Sequence, residues 1–383
     1  MMLMLVLGHV LALSKPVNKL ISIAVKYCNN TANAAALVTL LTIIVSLFNW
    51  GLGLIFGAIF ARKVGEHAMS KNISMNYPLI GAAGYSGLMV WHGGLSGSAP
   101  IKVAEPGHFL EAQTGIISQS ETIFSALNLS VSLFILIILP IAMFLLGKNN
   151  KAGVPMLQTN IFEVEQNDFE NIEGAEKLDH SRIIASLFGT IIIGLACYKA
   201  FIKPEVVSLK IITPNFINFL LLGLAILLHG NFYKFLKAID AAIAGASGIL
   251  IQFPLYFGIM GIMKDAGLVA KLSDFFVQIS NETTFPIFTL FSAGIVNVFV
   301  PSGGGQWAVQ GPIIVEAANQ LGVSLPKSIM ALAYGDQLTN MLQPFWALPL
   351  LGITGLKAKE ILPYTIYLML VGGSIYILGL LLL

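Results

Sequence analysis

Between Glu282 and Glu316 the chain reads TTFPIFTLFSAGIVNVFVPSGGGQWAVQGPIIV, residues 283–315, without a single Asp, Glu, Lys or Arg. As one helix it would reach roughly 50 Å, against a hydrocarbon core about 30 Å thick. Its middle also resists helix: Pro301 lacks a backbone donor, and Ser302, Gly303, Gly304 and Gly305 are weak helix formers. A hairpin of two helices, entering and leaving the membrane on one side, satisfies both the length and the break. Residues 34–61 behave alike. They are charge-free over roughly 42 Å and carry Asn49, Trp50, Gly51 and Gly53 at their centre.

Seven further charge-free stretches, 72–101, 122–147, 183–198, 211–233, 241–263, 337–356 and 361–383, mostly match one spanning helix each. Of 383 residues, 21 are Lys or Arg and 19 are Asp or Glu, 56% are apolar, and the mean hydropathy is +0.82. That surface chemistry excludes a soluble enzyme, a nucleic-acid binder and a disordered chain. A net charge of +2 gives no reason to expect a polyanion partner. Cys28 and Cys197 read as unpaired thiols. Met1 to Leu13 is apolar without a basic flank or a cleavage site, hence a membrane segment rather than a signal peptide. At about 13 residues where about 20 are needed, it predicts a shortened first helix with a segment expected upstream.

Charge placement orients the chain. With both hairpins re-entrant, the loops 15–26, 62–71, 148–182, 231–240 and 357–360 share one side and hold 14 of the 21 basic residues, which assigns that side to the cytoplasm. The first hairpin then enters from the cytoplasm and the second from outside. The stretch 148–182, with Glu163, Glu165, Asp168, Glu170, Glu173, Glu176 and Asp179, reads as a solvated acidic linker. The expected organisation is a first membrane repeat over 1–147, a cytoplasmic linker over 148–182 and a second, inverted repeat over 183–383. The fold class is an all-α polytopic membrane protein, each repeat holding a re-entrant hairpin and a broken transmembrane helix.

The two halves register at offsets of 248 and 249 residues. Asn49 precedes Tyr85-Ser86-Gly87 by 36 residues, and Asn297 precedes Tyr334-Gly335-Asp336 by 37. Inverted repeats with breaks at matching positions place a binding site at the midplane between them, because non-helical backbone at that depth must line a cavity or be buried in protein. Half-helix N-termini hold a carboxylate without an intramembrane Arg or Lys. The expected substrate-binding residues are Asn49, Gly51, Ser86, His92, Gly93, Gly94, Ser96, Ser98, Ser302, Gly303, Gly304, Gly305, Gln306, Asn340 and Gln343. Asp336, the one acidic residue inside a broken helix, costs about 2.5 to 3.5 kcal/mol at that depth unless neutral, paired or coordinated. With Thr339 it is the expected site of a coupling cation, H+ or Na+.

These segments also carry a resemblance. Trp91-His92-Gly93-Gly94-Leu95-Ser96-Gly97-Ser98, Asn297-Val298-Phe299-Val300-Pro301-Ser302-Gly303-Gly304-Gly305, Gln310-Gly311-Pro312 and Met341-Leu342-Gln343-Pro344-Phe345-Trp346-Ala347-Leu348-Pro349 resemble the bacterial short-chain fatty acid transporters of the acetoacetate and butyrate uptake type, over essentially the whole chain. The resemblance implies a secondary active carrier in the inner membrane, often dimeric, with an elevator-like movement. In that family a further hydrophobic segment precedes the part resembling Leu7 to Leu13. The function expected is transport of small monocarboxylates such as butyrate, acetate or acetoacetate, coupled to H+ or Na+. The rivals are a carrier of dicarboxylates or other organic anions and an inactive, shortened transporter. No enzymatic role, no metal and no further cofactor is expected; the partners expected are a small carboxylate, the lipid bilayer and a possible second copy, with no nucleic acid.

Overall fold

The computed structural model of the chain describes residues 2–149, 153–155, 157, 173–204 and 208–383. It is all helical, with one isolated bridge between Met75 and Gly153. Helices α1 (Met2–Ala12) and α2 (Lys15–Val25) are bent by 62° at Leu13-Ser14, where Pro16 opens the second. α3 (Thr31–Phe48) is capped by Asn30, whose side chain accepts the Asn33 N–H. It ends one residue before α4 (Trp50–Ser70) begins. Asn49 makes that connection alone: its extended backbone (φ −153°, ψ 124°) stops α3, and its Oδ1 accepts the Leu52 N–H at 2.8 Å to cap α4.

α5 (Tyr77–Tyr85) breaks into two 3-10 turns, Ser86–Met89 and Trp91–Gly93, before the short helices α6 (Ala99–Lys102) and α7 (Glu111–Thr114). The long α8 (Ala126–Lys148) follows. Then come α9 (Glu176–Asp179), α10 (Arg182–Cys197, continued by a π turn to Ile202), α11 (Pro214–His229), α12 (Phe232–Asp265) and α13 (Leu268–Gln278). The second hairpin is α14 (Phe285–Phe299) and α15 (Gly303–Leu321), joined by Val300, Pro301 and Ser302. α16 (Leu325–Thr339) breaks through a 3-10 turn, Asn340–Leu342, into α17 (Pro344–Thr354), and α18 (Ala358–Leu382) closes the order. Hairpin, interrupted helix and long helix thus succeed one another twice.

Each interrupted helix lies between its own hairpin and a long helix: α5 packs on α3, α4 and α18, and α16 on α14, α15 and α18. Long apolar side chains point outward from the long helices, as Leu129, Leu133, Phe134, Ile137 and Ile141 do on α8. That outward apolar face suits lipid. Thr31–Phe48, Ala126–Lys148, Arg182–Ile202 and Ala358–Leu382 are each long and apolar enough to cross a membrane. The chain is a multi-pass membrane protein.

Several predicted loops are helical, and in two of them a charged side chain finds its partner one turn along the helix. The expected loop 62–71 continues α4 because Arg62, 4% exposed, pairs with Glu66 one turn on, Nε to Oε1 at 2.7 Å. The expected loop 231–240 opens α12, with Asn231 capping the Lys234 N–H at 2.8 Å and Lys237 lying over the Tyr233 ring. Residues 15–25 form α2. Asp336 sits in the last turn of α16, inside the interrupted helix. The acidic residues Glu163, Glu165, Asp168 and Glu170 lie outside the described residues.

Candidate functional site

The breaks predicted from the two halves meet. His92, in the 3-10 turn after α5, and Asp336, in α16, lie 244 positions apart in sequence and 3.2 Å apart in space, Nε2 to Oδ1. Both are buried, at 0% and 1% side-chain exposure. The contact has ion-pair distance without the alignment of a hydrogen bond, and His92 Nε2 and Asp336 Oδ2 have no hydrogen-bond partner. The other ring nitrogen is engaged: the Ser98 N–H donates to His92 Nδ1 at 3.4 Å. A nitrogen that accepts carries no hydrogen, so the neutral ring bears its hydrogen on Nε2, facing the carboxylate. The His92 backbone N–H donates to Gln337 Oε1 at 3.0 Å, and the Trp91 ring lies beside the imidazole, tilted by 41° at 3.7 Å between centroids.

The second hairpin tip closes on this pair. A side chain at Gly303 would place its Cβ 2.4 Å from His92 Nε2 and 3.2 Å from Asp336 Oδ2, so only glycine admits the approach. Gly303 is the first residue of α15, whose N-terminus carries partial positive charge. Asp336, near the C-terminal and therefore negative end of its own helix, gains there what α16 denies it. Ser302 caps α15 by accepting the Gly305 N–H at 3.3 Å. Gly304 faces outward, and a Cβ there meets nothing within 4 Å.

Around the pair the break in α16 is held by an amide that the sequence offered only as a landmark. Asn297 Nδ2 donates to Asp336 O at 2.7 Å, Thr339 Oγ1 at 2.9 Å and Asn340 Oδ1 at 2.9 Å, while Gln343 Nε2 donates to Asn297 O. Thr339 Oγ1 in turn donates to Gly294 O at 3.0 Å. The Tyr85 hydroxyl reaches Asn340 O at 3.0 Å from the first half, and Tyr376 links Gln337 to Met89 O. Asn297 stands at the register position of Asn49, the signal that could have added it to the expected set.

The remaining expected residues divide. Gln306 donates to Ala293 O and Gln310 Oε1, tying the legs of the second hairpin together. At the first tip Gly51 lies against α1 at Leu5, and in the interrupted segment after α5 Gly93 lies against Asn128 and Gly94 against the Leu47 backbone. Ser96 Oγ accepts the Trp50 N–H at 2.9 Å, and Ser86 Oγ donates to Ala83 O within its own helix. Asn49 keeps one buried amide nitrogen without a partner. Neither Asn49 nor Ser86 is among the atoms that meet the His92–Asp336 pair. Cys28 and Cys197 are free thiols, the first buried and the second exposed. A cavity of about 640 Å3 opens elsewhere, at the foot of α4 between Arg62, Asn76, Tyr77, Thr354 and Glu360. It meets neither interrupted segment at its break, so the ionisable pair is the stronger candidate. Among the described residues, no group of three or more His, Cys, Asp or Glu side chains is placed to hold a metal.

The sequence profile of the short chain fatty acid transporter family matches residues 1–383. An Escherichia coli (strain K12) protein named "Putative short-chain fatty acid transporter" is 37% identical over 386 residues, covering 99% of this chain and 85% of that protein. One of the same name from Haemophilus influenzae is 35% identical over 393 residues, with the same shares covered. The solved Alcanivorax borkumensis YdaH transporter, described as having an unusual topology, shares the fold at a TM-score of 0.53 and 14% identity, over 98% of this chain and 84% of that one. The chain belongs to the short-chain fatty acid transporter family, a family of transporters and not of enzymes.

Proposed function

We propose that this member of the family carries small monocarboxylates such as butyrate, acetate or acetoacetate across a bacterial inner membrane by secondary active transport, coupled to a cation gradient. The observation that carries the reading is the meeting of a buried carboxylate and imidazole from opposite halves under the glycine tip of the second hairpin. Such a place offers an anion backbone N–H groups and a helix N-terminus in a low-dielectric setting. The doubled order of hairpin, interrupted helix and long helix supports two inverted repeats around one site, and alternating access by an elevator-like movement in a homodimer completes the reading. The 14-of-21 share of basic residues on one side supports an inner-membrane orientation.

Purified protein in proteoliposomes, given labelled butyrate with and without imposed pH and sodium gradients, tests the reading. Gradient-driven, saturable uptake that excess acetate suppresses and succinate does not is the expected result. Uptake indifferent to both gradients, or suppressed as strongly by succinate, would overturn it.

A further inference from the structure

Asp336 does more at this site than balance His92. Its carboxylate stands where a substrate carboxylate would be held. One oxygen faces His92 Nε2 at 3.2 Å, and the other would lie 3.2 Å from a Cβ at Gly303, the first residue of α15. That second oxygen is buried and has no hydrogen-bond partner, and neither has His92 Nε2. The position most favourable to an anion in this part of the molecule is therefore held by the protein's own anion. We propose that Asp336 is a tethered competitor of the substrate: protonation of its carboxyl releases the α15 N-terminus and His92 Nε2 to a substrate carboxylate, so that one proton enters with each carboxylate.

The proton balance is closed. The empty site holds neutral His92 and ionised Asp336. A proton from water binds an Asp336 oxygen, a substrate enters as its anion, and the loaded site holds neutral His92, neutral Asp336 and one bound carboxylate. Its net charge is unchanged, so binding moves no net charge into the membrane interior, where a lone charge is costly. The proton goes to Asp336 because His92 Nδ1 already accepts the Ser98 N–H; an imidazolium would set two donors face to face. Other titratable groups on the elements around Asp336 are few. Tyr334 shares α16, and Tyr376 reaches in from α18 to Gln337. Lys102 of α6 is tied to Glu105 at 2.6 Å, and Lys327 of α16, Glu316 of α15 and Lys359, Glu360, Tyr364 and Tyr367 of α18 lie outside the buried set. α14 and the 3-10 turns other than His92 hold none.

This inference rests on the carboxylate-transport reading, and its test separates the two. Butyrate, a carboxylate of ordinary acidity, is ionised at pH 7 to 8. Adding it to the purified protein in weakly buffered detergent, with a pH indicator, should remove about one proton from solution per butyrate bound, in sodium or potassium salts alike. Binding without proton uptake overturns the proposal alone; absence of binding at any pH overturns the transport reading beneath it. The wild-type Kd should rise roughly tenfold per pH unit above the Asp336 titration midpoint. Asp336→Asn, which imitates the protonated carboxyl, should bind butyrate at pH 8 as tightly as the parent does at its acid limit, with no pH slope. A folded Asp336→Asn protein that keeps the slope, or that fails to bind, overturns the proposal. Should that variant aggregate, the proton count on the parent protein decides.

Discussion

The two hairpin tips are built from the same parts and do different work. At the first, one residue joins the helices and everything around it is closed. Asn49 is buried, Trp50 N–H donates to Ser96, Leu95 N–H donates to Leu47 O at 2.8 Å, and α3 packs along α4. At the second, three residues join the helices, α14 lies mainly on α16 and only lightly on α15, and Val298 and Phe299 are 45% and 48% exposed. The first tip is a clamp between interior elements. The second meets the interior through Val300, Pro301, Ser302 and Gly303 and presents Val298, Phe299 and Gly304 outward. Matching positions in two halves of a chain can therefore diverge in packing: the first tip is enclosed by interior elements, and the second has one enclosed and one exposed face.

Substitutions can break or sharpen this contrast. The largest effect is expected at Gly303→Val, where the new side chain would force the tip off His92; butyrate uptake should fall about a hundredfold while the purified protein remains monodisperse. Near-normal uptake would place the two tips on an equal footing as packing. Asn297→Ala strips three acceptors of a buried donor and should lower stability by about 3 kcal/mol, read as a drop in thermal unfolding temperature in detergent. Gly94→Ala drives a methyl to within 2.4 Å of the Leu47 carbonyl; about 1 to 3 kcal/mol should be lost, with any remaining folded protein still binding butyrate. Asn49→Ala loses the α4 cap, at about 1 kcal/mol and again without a change in butyrate affinity. The smallest effect belongs to Gly304→Ala, whose Cβ meets nothing; uptake should stay within about twofold of the parent, against the hundredfold loss one residue earlier.

The hairpins and the interrupted helices were legible because a break inside an apolar stretch has few physical solutions. The tip at Asn49 and the tip at Pro301-Ser302 fall where length and composition put them. Helix ends were less legible, since charge was read as exposure. Arg62, expected in a loop, is buried, pairs with Glu66 and stays inside α4. Asp336 and His92 stood out singly as ionisable groups at membrane depth. Their contact did not, because spacing along a chain says nothing about which of two distant turns will face each other. Asn297 was visible as a register mark, but its three hydrogen bonds depend on where the α16 break falls in space. Gln306 stands out in sequence because it follows three glycines; that its amide nitrogen bridges the two legs of the hairpin depends on how those legs pack.

The order in which the pair enters the chain has a consequence for synthesis. His92 leaves the ribosome 244 residues before Asp336, an interval on the order of 10 to 50 s at about 5 to 20 residues per second. During that time the first half holds a group that is stable in lipid without a charge. The costly carboxylate arrives second, into a membrane where its partner is already waiting. The reverse order would leave an unpaired acid in the bilayer for the same interval. Insertion of the two halves is thus sequenced so that the site is never assembled from its most expensive piece first.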